Sequence, residues 1–285
     1  MDKEIAKEVV KEIGKDVYTD GAKPVVKPTG ELLGLVPRAI KAALSPLEKW
    51  ILNREYNIEE TKKLLEKKLE SIDPDLIEEP EPHIAVPAIQ YISYCMDNEE
   101  LRDMYANLLA NSMNKVVKNG VHPGFVEIIK QLSPDEAKIL KYFNHTDTIP
   151  VVDLRRENEK KEGVVEVKNF SDIGEKAGCE EAIRIGKSFD NLIRLGLIER
   201  AGAYQSLVNK NSYTSIKEHP YIRARIEEIK HNPEPYNKPS FTESYLYITD
   251  FGKAFCNICL NTAKTIKIQI SLDLENNQGE NNDQL

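Results

Sequence analysis

The stretch LIRLGLIER, residues 192–200, constrains the fold more than any other part of the sequence. Leucine and isoleucine repeat at helical spacing up to Leu195, and Gly196 stands where a helix ends in a left-handed residue. An apolar strand is predicted from Leu197. Upstream, SDIGEKAG (171–178) predicts a short helix that ends in a glycine turn. Short helix, turn, second helix and strand is the order of a helix-turn-helix unit.

The segments on either side extend this unit. SPDE (133–136) is a capping box that starts a helix over 134–144, and two β-rich runs within 148–170 predict a hairpin. YLYITDFGKAF (245–255) predicts a strand followed by a helix. The whole order predicts a winged-helix-like domain with a β-hairpin inserted after its first helix. A long insertion, residues 205–243, replaces the short wing.

The N-terminal half carries helical patterns instead. Apolar residues recur every three or four positions in 1–20, and ELLGLVPRAIKAALSPLEKWIL (31–52) is its most apolar part. We therefore predict a mainly α fold with a small β part. A helical domain spans 1–132, the winged-helix-like domain spans 133–262, and an amphipathic strand with a disordered acidic tail spans 263–285.

Composition narrows the compartment and the class of partner. The net charge of −8 argues against a broad basic face for nucleic acid. The N-terminus lacks the apolar core of a signal peptide, and no run approaches the roughly 20 apolar residues of a membrane span. The four cysteines are too few and too scattered for a disulfide framework. We expect a reduced, cytoplasmic protein.

The predicted helix-turn-helix has no surplus of positive charge. Residues 171–204 contain five lysines and arginines against six acidic residues, and Glu180 and Glu181 would open the second helix. Affinity for DNA depends largely on neutralising phosphates, so this balance favours a protein partner of unknown identity over nucleic acid. The residues that would face DNA in the alternative case are Arg184, Lys187 and Arg194.

Signatures of enzyme chemistry are largely missing. The sequence contains no P-loop, dinucleotide-binding glycine loop, HExxH or GxSxG motif, so we expect no cofactor and no catalytic site. CNIC (256–259) lies in an apolar helix without a second cysteine pair, which predicts buried thiols and no metal. RIEEIKH matches the loose arginine-to-histidine spacing of a family of helical RNases. Arg225 and His231 would be that pair, but Ile226 stands where those enzymes usually have a polar residue.

Three long segments, in order, resemble one known family. They are KPVVKPTGELLGLVPRAIKAALSPLEKWI (23–51), IEEPEPHIAVPAIQYISYCMDNEELRDMYANLLANSMN (77–114) and VHPGFVEIIKQLSPDEAKILKYF (121–143). The chain resembles the Abi-alpha (abortive infection alpha) family of bacterial proteins, and LIRLGLIER and YLYITDFGKAF fit the C-terminal end of that family. The resemblance implies a mainly helical bacterial protein associated with defence against bacteriophage. It implies no catalytic residues.

These observations leave three hypotheses for function. The first is a non-enzymatic abortive-infection protein that acts through protein contacts. The second is a DNA-binding winged-helix regulator that uses the basic residues of the helix-turn-helix. The third is a membrane-acting effector that uses residues 31–52, whose polar face lacks the lysine- and arginine-rich character of interfacial helices. We expect the first to hold and a membrane role to be absent.

Overall fold

The computed structural model of the protein describes residues 55–70, 72–143, 145–202, 205–233 and 235–261. The predicted helix in 1–20, the apolar segment 31–52 and the C-terminal strand and tail lie outside these residues. The structure divides into two compact units between Val126 and Glu127, and Asn261 belongs to the first. The domain limits derived from the sequence remain predictions.

Helices dominate the described part of the first unit. Its third helix has nine consecutive buried residues, Met104–Ser112, which is typical of a helix in the interior of a bundle. The side chain of Asn98 caps that helix by accepting the backbone N–H of Leu101 at 2.9 Å. The helices are α1 (Glu55–Leu69), α2 (Pro82–Ile92), α3 (Glu99–Ser112) and α4 (Gly124–Lys130), of which α4 continues into the second unit.

Helix α2 corrects one prediction. The prolines within 72–87 predict an extended connector, with a helix only from Ala88, but α2 already begins at Pro82. Proline fits the first position of a helix because the N–H it lacks would have no partner there. Pro87 lies inside the helix and removes one backbone hydrogen bond, and the buried side chains on both sides of it hold the helix together.

The second unit alternates helices and strands around one small sheet. The sheet has four antiparallel strands in the order β2-β1-β4-β3. A mainly α fold with a small β part is therefore confirmed. The elements are α5 (Pro134–Phe143), β1 (Thr148–Glu157), β2 (Gly163–Phe170), α6 (Ile173–Lys176), α7 (Gly186–Arg194), β3 (Ile198–Arg200), α8 (Thr214–Lys217), α9 (Pro220–Lys230), β4 (Lys238–Ile248) and α10 (Asp250–Cys259).

The predicted hairpin within 148–170 is confirmed as β1 and β2. Its register shifts between Val152 and Leu154 and again before Arg155, so β2 carries extra residues opposite β1. One of them, Asn169, has a φ of 52°. Bulges of this kind twist an edge strand and protect it from pairing with another chain. The other edge strand, β3, is only three residues long.

Two glycines meet special demands in the second unit. Gly196, with a φ of 72°, ends α7 in the left-handed conformation that the sequence predicted. Gly252, in the first turn of α10, packs against the backbone of the chain just before β3. A Cβ at Gly252 would lie 2.0 Å from the carbonyl oxygen of Leu197. Glycine is thus required where α10 crosses the start of β3.

Replacing Gly252 by alanine should therefore destabilise the protein. We expect Gly252→Ala to lower the free energy of unfolding by about 1–3 kcal/mol, the usual cost of forcing an extra carbon into a packed site. Gly202→Ala is the matched control, because a Cβ there meets only the side chain of Gln205, at 3.5 Å. Urea denaturation followed by circular dichroism measures both. Equal stability of the two variants would contradict the packing argument.

Candidate protein interface

The turn between α6 and α7, residues 179–185, is fixed by one carboxylate. Oδ1 of Asp135, in the first turn of α5, accepts the backbone N–H of Glu180 at 2.9 Å, and Oδ2 accepts that of Glu181 at 3.1 Å. The Nζ of Lys138, one turn later, donates to the carbonyl oxygen of Gly178 at 3.1 Å. The turn is therefore held rigidly against α5, with its two end residues buried and most of the side chains between them exposed.

This anchoring corrects the predicted start of the second helix. Glu180 and Glu181 were expected to open it, but α7 begins only at Gly186. The carboxylate of Asp135 accepts hydrogen bonds from the backbone N–H groups of both glutamates, and these bonds keep this stretch in a turn. The two acidic side chains remain exposed beside the helix rather than on it.

Helix α7 buries one face and exposes the other. Ser188, Phe189 and Leu192 are buried. Lys187 and Arg194 are exposed and lie seven positions apart, which is close to two helical turns, so they share one face. Two of the predicted candidates are thus placed on the solvent side of the helix.

The exposed cations of α7 have local partners. Lys187 forms an ion pair with Glu181 of the turn. Arg194 donates to the side-chain oxygens of Asn191, from Nε at 3.0 Å, and of Gln131, from Nη2 at 3.0 Å. These contacts hold both side chains against the surface.

An acidic residue separates the two cations on the exposed face of α7. Asp190 lies between Lys187 and Arg194 on the same face and is 3.4 Å from the Nζ of Lys168 of β2. The partners Lys168 and Gln131 come from other parts of the chain, and no local sequence pattern indicates them. The exposed face of α7 therefore carries both positive and negative charges rather than a continuous row of cations.

The third candidate, Arg184, stands at the end of the turn. It is exposed, and within the described residues the structure records no ion pair for its guanidinium. Ile183 beside it is 45% exposed. An exposed isoleucine and arginine on a rigid turn are a combination suited to protein contact, because little side-chain and backbone freedom is lost on binding.

The insertion lies on the sheet. Tyr213, Ile216 and Ile222 are fully buried and form a core cluster with Val152 of β1 and Phe170 of β2. The chain between β3 and β4 is therefore a packed part of the second unit rather than a short exposed wing.

Tyr213 also fixes the insertion through its hydroxyl group. The hydroxyl donates to the carbonyl oxygen of Ser244 of β4 at 2.9 Å and accepts the backbone N–H of Leu207 at 2.9 Å. Burial is the main cause that raises the pKa of this phenol. Strand β4 already begins at Lys238, so the last residues of the range 205–243 belong to this strand.

Of the predicted RNase-like pair, Arg225 lies on α9 and His231 directly follows it. Arg225 forms ion pairs with Glu166 of β2, at 3.3 Å, and with Glu228. His231 follows the last turn, and its Nδ1 is 2.6 Å from the carbonyl oxygen of Glu227. Positions six apart on a helix point about 120° away from each other. The pair remains a prediction.

The cysteines of the second unit are buried thiols. Burial raises the pKa of Cys256 to about 12 and also raises that of Cys259. The pKa of Cys179 is raised to about 11 by burial and by the neighbouring carboxylate of Asp135. Such thiols carry almost no thiolate at neutral pH, the form that acts as a nucleophile or metal ligand.

Two further findings concern only the described part of the chain. Within it, no group of three or more histidine, cysteine or acidic side chains could hold a metal ion. None of its helices has the length and apolar character needed to cross a membrane.

Comparison with known proteins identifies the family. The model of the family described as abortive infection alpha matches residues 53–259, which is most of the chain. The chain belongs to this family. The match extends through both units and spans the turn, α7 and the insertion.

Other comparisons add little to this family membership. A search of curated proteins found no match. Among solved structures, the chain is similar to the uncharacterized protein from the hydrocarbon-degrading marine bacterium Alcanivorax borkumensis SK2. That similarity covers 48% of this chain and 92% of the other, with 17% sequence identity and a TM-score of 0.35.

The raised pKa values predict thiols that resist labelling. At pH 7.5, well below pKa values of about 11 and 12, fewer than about one in a thousand of the Cys179 and Cys256 thiols are ionised. We expect iodoacetamide to label both slowly in the native protein, with a rate that rises about tenfold per pH unit from pH 7.5 to 9.5. Labelling is followed by mass spectrometry. Labelling of the native protein at pH 7.5 as fast as in 8 M urea would contradict this.

Proposed function

We propose that this member of the abortive infection alpha family is a non-enzymatic, cytoplasmic protein that defends bacteria against phage through protein contacts. Its second unit serves as a winged-helix-like docking domain. The contact surface is formed by the turn 179–185 and the exposed face of α7. Family membership supports the defence role, and the charge of that surface supports a protein as the partner.

The order of the strands supports the winged-helix interpretation. In a winged helix-turn-helix, the strand after the first helix pairs with the last strand, which also pairs with the strand after the second helix of the motif. Here β1 pairs with β4, and β4 pairs with β3. The second strand of the hairpin, β2, is added at the outer side of β1.

The pairing of cations with acidic residues on the surface of α7 is the single observation that favours a protein partner over DNA. A helix that reads DNA offers unpaired cations to phosphates, and each neutralised phosphate strengthens the salt-dependent part of binding. On this surface Lys187 is paired with Glu181, and Asp190 lies between the two cations of the helix. The wing that would reach the adjacent groove is replaced by a segment packed on the sheet.

DNA binding is the second candidate function, and exposed Arg184 is the observation that favours it. An RNase activity would instead need Arg225 and His231, whose side chains contact other groups of the second unit. Degradation of RNA by the purified protein that is lost in Arg225→Ala or His231→Ala would contradict a non-enzymatic role. The membrane hypothesis concerns residues 31–52, outside the described part, and co-sedimentation with liposomes tests it directly.

Reversing charge on the proposed surface should abolish protection. We expect the Arg184→Glu/Arg194→Glu variant to raise the plating efficiency of a restricted phage at least about tenfold, because an arginine at an interface hot spot contributes about 2 kcal/mol or more. The matched control is Lys160→Glu, an equally exposed cation in the turn of the hairpin. Both variants must match the native melting temperature. Full protection by the double variant would rule out this surface as the contact.

Weak, sequence-independent DNA binding is the expected result of the charge balance. Fluorescence anisotropy with a 30-base-pair duplex at 50, 100 and 200 mM salt should give dissociation constants no tighter than about 10⁻⁶ M at the highest salt, as for non-specific binding. Sub-micromolar binding at 200 mM salt, lost when Arg184, Lys187 and Arg194 are changed to alanine, would instead establish the DNA-binding alternative.

A further inference from the structure

We infer that the insertion is a positioning clamp for α6, and through α6 for the surface that the proposed function uses. Two side chains, Ser215 of α8 and His219 before α9, form the clamp. The Oγ of Ser215 donates to Oδ2 of Asp172 at 2.8 Å, and Nε2 of His219 lies 3.0 Å from Oε1 of Glu175. The inference rests on the proposed function only for its consequence in defence.

Helix α6 needs such support because it is a single turn, Ile173–Lys176. Short helices are not stable by themselves, since one turn fixes several residues for few hydrogen bonds. Asp172 occupies its N-cap position but makes no capping hydrogen bond. Its carboxylate binds Ser215 and, at 2.9 Å, the Nζ of Lys176 instead. The insertion therefore uses the group that would otherwise stabilise the start of α6.

His219 connects two helices through its two ring nitrogens. Nδ1 accepts the backbone N–H of Tyr221 at 3.2 Å and so caps α9. Because Nδ1 is the acceptor, Nε2 carries the hydrogen and donates it to Glu175 of α6. The ring packs against Phe170, with centroids 5.1 Å apart, and is largely buried. The start of α9 and the position of α6 are thus set by one side chain.

The position of α6 is passed on to the turn by backbone contact. A Cβ placed on Gly174 of α6 would lie 2.2 Å from the carbonyl oxygen of Ala182 in the turn. The two backbones therefore touch, and α6 cannot shift toward the turn without moving it. Ala182 directly precedes Ile183 and Arg184, the exposed residues of the proposed surface. The path runs from the insertion to α6, from α6 to the turn, and from the turn to the surface.

The chain offers substitutions that release α6 and keep the helices of the insertion. Ser215→Ala removes the hydroxyl and leaves a good helix former in α8. His219→Asn keeps a short side chain that accepts the N–H of Tyr221, since asparagine is a preferred N-cap, but cannot reach Glu175. Arg223→Ala is the control, because Arg223 is an exposed residue of α9 whose recorded ion pair is with Glu218.

Hydrogen exchange of the full-length protein tests the clamp itself. In the Ser215→Ala/His219→Asn variant we expect the amides of 171–184 to exchange at least about tenfold faster, with those of 222–230 unchanged. Arg223→Ala should exchange like the native protein. Unchanged exchange of 171–184 in the double variant overturns the clamp. If 222–230 also lose protection, Ser215→Ala alone decides, and no increase in 171–178 overturns it.

Phage plating separates the clamp from the proposed function. We expect the double variant to lose protection at least tenfold, as Arg184→Glu/Arg194→Glu does. If exchange increases while both double variants still protect fully, the clamp stands and the proposed docking surface fails. If only the Arg184→Glu/Arg194→Glu variant loses protection, the coupling from α6 to the surface is overturned.

Discussion

The first turn of α5 is hydrogen-bonded both to the turn before α7 and to α7 itself, and the geometry of the proposed surface depends on it. The carboxylate of Asp135 fixes the turn before α7. Glu136, buried beside it, accepts the backbone N–H of Ser133 at 2.8 Å in the predicted capping box and the Nδ2 of Asn191 of α7 at 2.9 Å. Buried acidic groups are stable only when hydrogen bonds compensate their desolvation, and here those bonds also join α5 to α7.

The sequence predicted the elements whose causes are local. The capping box at Ser133 and the left-handed Gly196 each act within a few residues, and the structure has both where they were expected. The predicted start of α7 was wrong because the residue that delays it is distant in the sequence. Asp135 lies 45 positions before Glu180. In the same way the cations of α7 could be identified from the sequence, but their partners could not.

The insertion illustrates the same limit on a larger scale. Its sequence mixes acidic and basic residues, and part of it forms the charged helix α9. Three apolar side chains, spaced too irregularly to form a periodic pattern, bury it on the sheet. Such packing depends on the apolar face that Val152 and Phe170 form in the hairpin, and this face exists only once the sheet has formed.

In LIRLGLIER, most residues are required by the fold rather than by an activity. Leu192 and Leu197 are fully buried, and Gly196 needs its positive φ to let α7 pass into β3, so the fold alone requires this pattern. Only Arg194 in the stretch faces the proposed surface, and amide groups hold it there. A sequence pattern that the core requires carries no information about a partner. Under the proposed function, selectivity for the partner therefore lies with exposed residues such as Arg184, whose side chain the core does not use.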